Sequence, residues 1–278
     1  MIPSTFDYEV AESTEQAVSL LGSREDATVL AGGHSLIPLL KLRFARPSLL
    51  VDIGRIDGLS YIRDVGEWLA IGAMTRYKTI REDPLVQEHC PIVSHTAGLI
   101  GDPQVRHRGT IGGSLAHGDP ASDLPAVMLA LGAELVIVGP GGERTVPAAN
   151  FFRGVFETAV GPAELLTEIR IPKLGGWTGW SYLKFTRRAQ DWATVGVAAI
   201  VRHEEATVAE ARIALTNMGA TPLRATTAEQ ALIAGEADPA AHMAGGTAPV
   251  SDVSASAEFR SHLARVMGKR AIEEALSR

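Results

Sequence analysis

Two glycine pairs, far apart in the chain, constrain its fold and function more than any other feature. The first lies in Ala31-Gly32-Gly33-His34-Ser35-Leu36 and the second in Thr110-Ile111-Gly112-Gly113-Ser114. Because glycine has no Cβ, backbone N–H groups at such positions can crowd against a ligand. Successive N–H groups in a turn form a concave anion site that suits a phosphate or pyrophosphate. The two loops therefore predict a dinucleotide that is gripped from both sides.

The common alternatives for phosphate or acyl chemistry are missing from the sequence. There is no GxxxxGK(S/T) motif for phosphoryl transfer and no GxGxxG after a strand. No GxSxG nucleophile elbow is present either. The two glycine pairs are thus the strongest functional signal that the residues alone provide.

Composition and charge narrow the class of partner. The net charge of −6 argues against nucleic acid or an anionic membrane surface as the main partner. No segment looks like a secretion signal or is apolar for long enough to span a membrane, so we expect a cytoplasmic protein. Cys90 is the single cysteine, which excludes an internal disulfide and a cysteine-ligated iron–sulfur cluster on this chain. Any metal chemistry is expected on another chain.

The hydrophobic pattern predicts an α+β chain in three parts, with boundaries at residues 1–55, 56–176 and 177–278. The first part reads as a strand–helix–strand unit in which the strand Thr28-Val29-Leu30 delivers the first glycine pair and Ser35 caps the next helix. The second combines paired strands, a mixed or antiparallel sheet and helices, one of them capped by Ser122 or Asp123. After a linker, 173–177, the third predicts a three-stranded antiparallel sheet followed by helices.

Taken together, these motifs resemble the FAD-binding medium subunit of molybdenum hydroxylases, the carbon monoxide dehydrogenase and xanthine dehydrogenase type of enzyme. The resemblance covers nearly the whole chain in order. It is carried by residues 31–43, by 109–114 with Asp119-Pro120-Ala121-Ser122-Asp123, and by shorter segments at 71–75, 164–172, 184–188 and 191–192.

The resemblance implies a two-part FAD-binding domain followed by a smaller C-terminal domain, and a non-covalent FAD. This cofactor takes electrons from the 2Fe–2S clusters of a small partner subunit and passes them to an external acceptor. The electrons originate at molybdopterin on a large partner subunit, in a dimer of heterotrimers. The family contains relatives that act on carbon monoxide, purines, aldehydes and N-heterocycles, so neither the substrate nor the acceptor follows from the resemblance.

The same resemblance assigns roles to individual residues. Backbone N–H groups of Gly32, Gly33, Gly112 and Gly113 contact the pyrophosphate, and Ser35, Thr110 and Ser114 add hydroxyl donors. Ala31, His34 and Leu36 belong to the same cofactor-binding set, with a covalent bond from His34 to the flavin as the alternative for that residue. Asp123 accepts hydrogen bonds from the adenosine ribose, with plain helix capping as its alternative. Lys184 faces the reduced flavin with its positive charge, or else is a solvated surface lysine. Asp191 and Trp192 lie near the isoalloxazine, or Trp192 is an ordinary core aromatic.

Several interpretations stay open from the sequence. Leu166 alternates out of phase with Leu165, Ile169 and Ile171, which predicts that it leaves the core and touches the flavin ring. His117 faces the cofactor or a partner, or has a structural role, and Arg187 and Arg188 receive no role. The alternative functions are a self-sufficient FAD oxidase or dehydrogenase, and a non-redox nucleotide-binding protein. No side chain is predicted to act as a catalytic acid or base.

Overall fold

Each of the three regions of the chain is built around its own hydrophobic cluster. The structure is a computed structural model that describes residues 2–176, 178–204 and 207–278. Trp177, the predicted first residue of the third part, lies outside the described residues. The boundaries after residues 55 and 176 stay predictions. No helix within the described ranges is long and apolar enough to cross a membrane.

The N-terminal unit is a small parallel sheet with its helices packed beside it. Its strands are β1 (Asp7–Val10), β2 (Thr28–Leu30) and β3 (Leu49–Asp52), in the order β1-β3-β2. Its helices are α1 (Thr14–Gly22) and α2 (Leu36–Leu42). Ser13 caps α1 by accepting from the Gln16 N–H at 3.1 Å, but Ser35 has helical backbone angles and makes no capping bond to α2. The first glycine loop therefore leaves the carboxyl end of β2 and enters α2 without a side-chain cap.

The central region is an antiparallel sheet covered by helices, and it contains the second glycine motif. The strand order is β4-β5-β10-β6-β7, which places β10 in the middle. The bounds of these strands are β4 (Ile62–Val65), β5 (Trp68–Gly72), β6 (Glu134–Gly139), β7 (Gly142–Pro147) and β10 (Leu165–Pro172). The helices are α3 (Tyr77–Glu82), α4 (Pro84–His89), α5 (Pro91–Leu99), α6 (Pro103–Arg108), α7 (Ile111–His117), α8 (Asp123–Leu131) and α9 (Ala148–Phe151). A two-stranded hairpin, β8 (Phe152–Gly154) and β9 (Glu157–Thr158), follows α9.

The C-terminal region is an antiparallel sheet with helices on one face. The three predicted strands are present as β11 (Thr178–Phe185), β12 (Val195–Glu204) and β13 (Thr207–Thr216), and the two-residue β14 (Leu223–Arg224) adds a fourth. Helix α10 (Thr226–Ile233), a 3₁₀ turn (Pro239–His242) and helix α11 (Ala257–Leu276) complete the region. The predicted α+β class, a two-part domain followed by a smaller sheet-and-helix domain, is confirmed.

Candidate dinucleotide site

A cavity of about 870 Å³ is lined by residues from all three regions. Its volume is within the range of small-molecule and cofactor sites, about 300–1,000 Å³. All but two of the predicted site residues line it, namely Ala31, Gly32, Gly33, His34, Ser35, Leu36, Thr110, Gly113, Ser114, Asp123, Lys184, Asp191 and Trp192. The two exceptions are Gly112 and Leu166. Residues from distant parts of the sequence thus meet at one cavity.

The first glycine loop presents unpaired backbone amides to this cavity. Within the described residues, no acceptor is found for the N–H groups of residues 32–36. Gly33 has a φ of 79°, in the left-handed region that favours glycine. Consecutive N–H groups around such a residue form the concave anion site known as a nest. The loop therefore offers donors of the kind that a phosphate group binds.

Gly32 is required for a different reason, the close approach of another segment. A Cβ at this position would overlap the carbonyl oxygen of Arg108, at the end of α6. The Arg76 guanidinium donates to that same carbonyl, and the Tyr77 N–H donates to Gly109 O at 3.1 Å. The missing side chain of Gly32 thus allows the segment before the second motif to lie against the first.

The second glycine pair has another structure, because it is the first turn of α7. Thr110 is the N-cap and its Oγ1 accepts from the Gly113 N–H at 3.1 Å. The Gly112 N–H donates to Ala73 O at 2.8 Å, and a Cβ on Gly112 would overlap Ala73. The prediction that the amides of Gly112 and Gly113 are free for the pyrophosphate is therefore wrong, because both donate within the protein. Gly112 lets α7 pack against the end of β5.

Asp123, at the start of α8, is buried and paired across the boundary with the C-terminal sheet. Its Oδ1 accepts from the Tyr182 hydroxyl at 2.6 Å, and its Oδ2 accepts from Lys184 Nζ at 2.8 Å. Burial raises the pKa of the Asp123 carboxyl, whereas the neighbouring Lys184 ammonium and Tyr182 hydroxyl oppose that rise. The side chain of Lys184 is only 9% exposed, which excludes the solvated surface lysine. The ribose contact of Asp123 stays a prediction.

The loop between β11 and β12, residues 186–194, forms another wall. Trp192 is 63% exposed, so the alternative of a core aromatic is wrong, and its side chain is available to a bound ligand. Asp191 forms a two-point ion pair with Arg188, at 2.9 and 3.0 Å, and this pair lowers the pKa of the Asp191 carboxyl. The pair fixes the turn that places Trp192 at the cavity.

Leu166 does not leave the core. It is 4% exposed and belongs to the central hydrophobic cluster, while its neighbour Leu165 packs into the N-terminal cluster. Strand β10 shifts its register against β6 between Leu166 and Glu168. Because such an irregularity changes the phase of the alternation, Leu166 shares the central cluster with Ile169 and Ile171, and Leu165 does not. The expectation that Leu166 leaves the core is wrong, and its flavin contact has no support here.

The sequence interpretation missed several residues of the cavity wall. Tyr77 lines the cavity, and burial raises the pKa of its hydroxyl to about 12. Phe156, at the tip of the β8–β9 hairpin, has a φ of 59° and lies 4.9 Å from the His117 ring between centroids. Burial lowers the pKa of His117, which lines the cavity, as one of its predicted roles allows. No local motif marks Tyr77 or Phe156.

Tyr182 was also missed, although a signal existed. It stands two residues before Lys184 on the same strand, so both side chains point to the same face of the sheet. Lys184 was predicted at the site, and Tyr182 is a second hydrogen-bond donor on the same face of the strand. One carboxylate can accept from both, so this spacing could have identified Tyr182.

Comparison with known proteins places these observations in a family. The family described as FAD binding domain in molybdopterin dehydrogenase matches residues 4–174, and the one described as CO dehydrogenase flavoprotein C-terminal domain matches 180–275. The chain is 44% identical to the carbon monoxide dehydrogenase medium chain of Hydrogenophaga pseudoflava, over 100% of this chain and 99% of that one. It is 41% identical to the 6-hydroxypseudooxynicotine dehydrogenase complex subunit alpha of Paenarthrobacter nicotinovorans, over 100% and 97%.

Solved structures agree with these relatives. A chain of carbon monoxide dehydrogenase from Hydrogenophaga pseudoflava superposes with a TM-score of 0.97 at 44% identity, covering 100% of this chain and 99% of the other. A chain of quinoline 2-oxidoreductase from Pseudomonas putida 86 gives a TM-score of 0.95 at 32% identity, with the same coverage. These likenesses extend over both the FAD-binding part and the C-terminal region.

Proposed function

The chain belongs to the family of FAD-binding medium subunits of molybdopterin dehydrogenases, and on that premise we propose that it is the electron-transfer subunit of such an oxidoreductase complex. FAD, when bound, supplies the redox chemistry by taking electrons from the 2Fe–2S clusters of a partner subunit and passing them to an external acceptor. The contribution of this chain is to bind, orient and electrostatically stabilise that cofactor.

The observation that supports this proposal most directly is the set of free amides at residues 32–36. They lie on the wall of a cavity large enough for a cofactor, and they are donors of the kind that a pyrophosphate requires. The hydroxyls of Thr110 and Ser114 line the same cavity. The side chains present therefore fit FAD, and we assign the pyrophosphate to the first loop in particular.

The position of the Lys184 ammonium supports the proposed redox role. Lys184 is held by a buried carboxylate, so its ammonium keeps a fixed position in a region of low dielectric. The Asp123 carboxylate compensates part of this charge, and the ammonium end of the pair favours added negative charge on a bound cofactor. Trp192 supplies an exposed aromatic surface, and Asp191 is turned towards Arg188.

The partners are proposed from the relatives. Their names describe a medium chain and a subunit of a dehydrogenase complex. We propose that this chain works with a large molybdopterin-binding subunit and a small 2Fe–2S subunit, assembled as a dimer of heterotrimers. His34 is exposed at the cavity, and we propose that it binds FAD without a covalent bond.

The test is a visible spectrum of the purified chain, with FAD added and the excess removed, before and after acid precipitation. We expect a flavin spectrum whose colour stays in the supernatant. Colour in the pellet would indicate a covalent bond, and a protein that ignores added FAD would contradict the proposal. Adding carbon monoxide, purines, aldehydes or N-heterocycles to the FAD-loaded chain alone should leave the flavin absorbance unchanged. Bleaching by one of them would favour a self-sufficient enzyme.

A further inference from the structure

The loop 186–194 is fixed from behind by two residues that do not line the cavity. The chain closes at the base of the loop, where the Thr194 N–H donates to Phe185 O at 2.8 Å. Just before that point, Asn217 Nδ2 donates to Ala193 O at 2.7 Å. The carbonyl of Thr194 itself accepts from the guanidinium of Arg260. Two consecutive carbonyls of the loop are thus held by side chains from elsewhere in the C-terminal region.

Asn217 makes a second contact, with the segment that precedes α8. Its backbone N–H donates to Pro120 O at 2.9 Å, within the segment that leads to Asp123. The residue has a φ of 62°, a conformation that asparagine tolerates better than most residues. One residue therefore bonds both to the loop that carries Asp191 and Trp192 and to the segment that carries Asp123.

Arg260 supports the same loop from α11. It is only 1% exposed, and its guanidinium also donates to Val250 O at 3.1 Å and to Asp252 Oδ2 at 2.7 Å. Burying an arginine is costly unless its donors are satisfied, and here three acceptors from two separate segments meet it. These bonds anchor the base of the loop to the start of α11. Asn217 connects the same loop to the segment 120–123.

We infer that Asn217 is a positioning residue of the FAD site, which sets the spacing between the loop with Trp192 and the segment with Asp123. The inference rests on the proposed function, because it concerns the same cavity. Asn217 touches no cavity atom itself and acts through residues 190–192 and 120–123. The Asn217 side chain bonds to Ala193 and its backbone N–H bonds to Pro120, so a substitution can remove the first bond and keep the second.

The test uses Asn217→Gly and Asn217→Asp in the full chain. Glycine keeps the left-handed backbone and the N–H to Pro120, and removes only the bond to Ala193. Aspartate keeps the size of the side chain but turns an acceptor towards that carbonyl. We expect FAD affinity to fall about fivefold in Asn217→Gly, the effect of one net hydrogen bond, and further in Asn217→Asp. Asn150→Asp, at the only other asparagine, exposed on α9, should bind FAD as the parent does.

A double-mutant cycle with Trp192→Ala distinguishes positioning from a general loss of stability. If Asn217 acts through the loop, Asn217→Gly should weaken FAD binding by less than about twofold once Trp192 is gone. An equal effect in both backgrounds, no effect of Asn217→Gly or Asn217→Asp alone, or no effect of Trp192→Ala would overturn the inference. Failure of the parent chain to bind FAD would instead overturn the proposed function. Circular dichroism at the assay temperature confirms that each variant is folded.

Discussion

The two glycine motifs look alike in the sequence but do opposite things with their backbone amides. In the first, the N–H groups of residues 32–36 have no acceptor among the described residues, and these residues line the cavity. In the second, Gly112 and Gly113 both donate within the protein, to Ala73 O and to Thr110 Oγ1. The first motif is therefore a donor set for a ligand, whereas the second is the packed start of a helix that positions other groups.

The surrounding residues cause this difference. Thr110 has extended backbone angles and a hydroxyl, the combination that caps a helix, so the amides that follow enter α7. Ser35 has helical angles and makes no such bond, and Gly33 adopts a left-handed conformation just before it. A glycine pair alone therefore does not distinguish an anion nest from a close-packed helix start.

The largest expected effect concerns the group that the second motif places, Asp123. Replacing Lys184 by methionine leaves a buried carboxylate without its cation, which costs about 3–5 kcal/mol of the free energy of unfolding. Asp123→Asn combined with Lys184→Met should recover a large part of this loss. Chemical denaturation of the single and double variants measures both values. A loss in Lys184→Met no greater than in Arg188→Met, whose ion pair is exposed, would contradict the buried pair.

The free energy of unfolding of Lys184→Met should depend on pH in a way that identifies Asp123. Without Lys184, burial raises the pKa of Asp123 further above its unfolded value, because the main opposing charge is gone. A raised pKa in the folded state means that stability is retained below the unfolded pKa and lost as pH rises through the folded pKa. The pKa of Asp123 is already raised in the folded parent, so the deficit of Lys184→Met relative to the parent should begin above that folded pKa and grow towards neutrality. A deficit that does not depend on pH would show that Asp123 is not the group involved.

Gly112→Ala tests the packing role of the second motif. A Cβ would overlap Ala73, and backbone atoms are among those it meets, so α7 must shift away from β5. Overpacking of this kind costs about 2–3 kcal/mol of unfolding free energy. The FAD affinity of the folded protein should change little, because the Gly112 amide already has an acceptor. A variant of parental stability that has lost FAD binding would reverse the assignment.

Gly33→Ala tests the nest, with a matched control at Gly58. Both glycines have a positive φ, 79° and 86°, so the backbone conformation alone should cost each alanine variant about 1 kcal/mol of unfolding free energy. At Gly33 the Cβ would also lie 2.7 Å from Ile37 Cδ1, so that flexible side chain must move and the stability cost is larger there. Only Gly33 belongs to the amide set at the cavity, and no atom lies within 4 Å of a Cβ on Gly58. We expect FAD affinity to fall about tenfold in Gly33→Ala, corresponding to one charge-assisted hydrogen bond, and to stay unchanged in Gly58→Ala. Equal affinities in titrations of the two variants would exclude the nest.

Much of this architecture was predictable because it depends on local signals. The Ser13 cap of α1, the strand that delivers the first glycine pair, and the β6–β7 hairpin all follow from residues adjacent in the sequence. The burial of Leu166 did not, because β10 shifts its register against β6 between Leu166 and Glu168, which reverses the alternation expected from the sequence. The partners of Gly112 and Asp123 were likewise hidden, since Ala73 and Tyr182 are distant in the chain. Local sequence patterns predicted which loops line the cavity. Whether their backbone amides find an acceptor within the protein depends on tertiary packing.

The smallest expected effect is at Thr110, which caps α7 and also lines the cavity. Thr110→Val removes the cap of α7 and should cost about 1 kcal/mol of unfolding free energy, whereas Thr110→Ser should restore it. The Thr110 hydroxyl uses its oxygen to accept from Gly113, so its own proton stays available to a ligand on the cavity side. Thermal unfolding with and without FAD separates the two roles. A deficit of the same size in both conditions assigns Thr110 to the cap alone, and a larger deficit with FAD adds a contact with the cofactor.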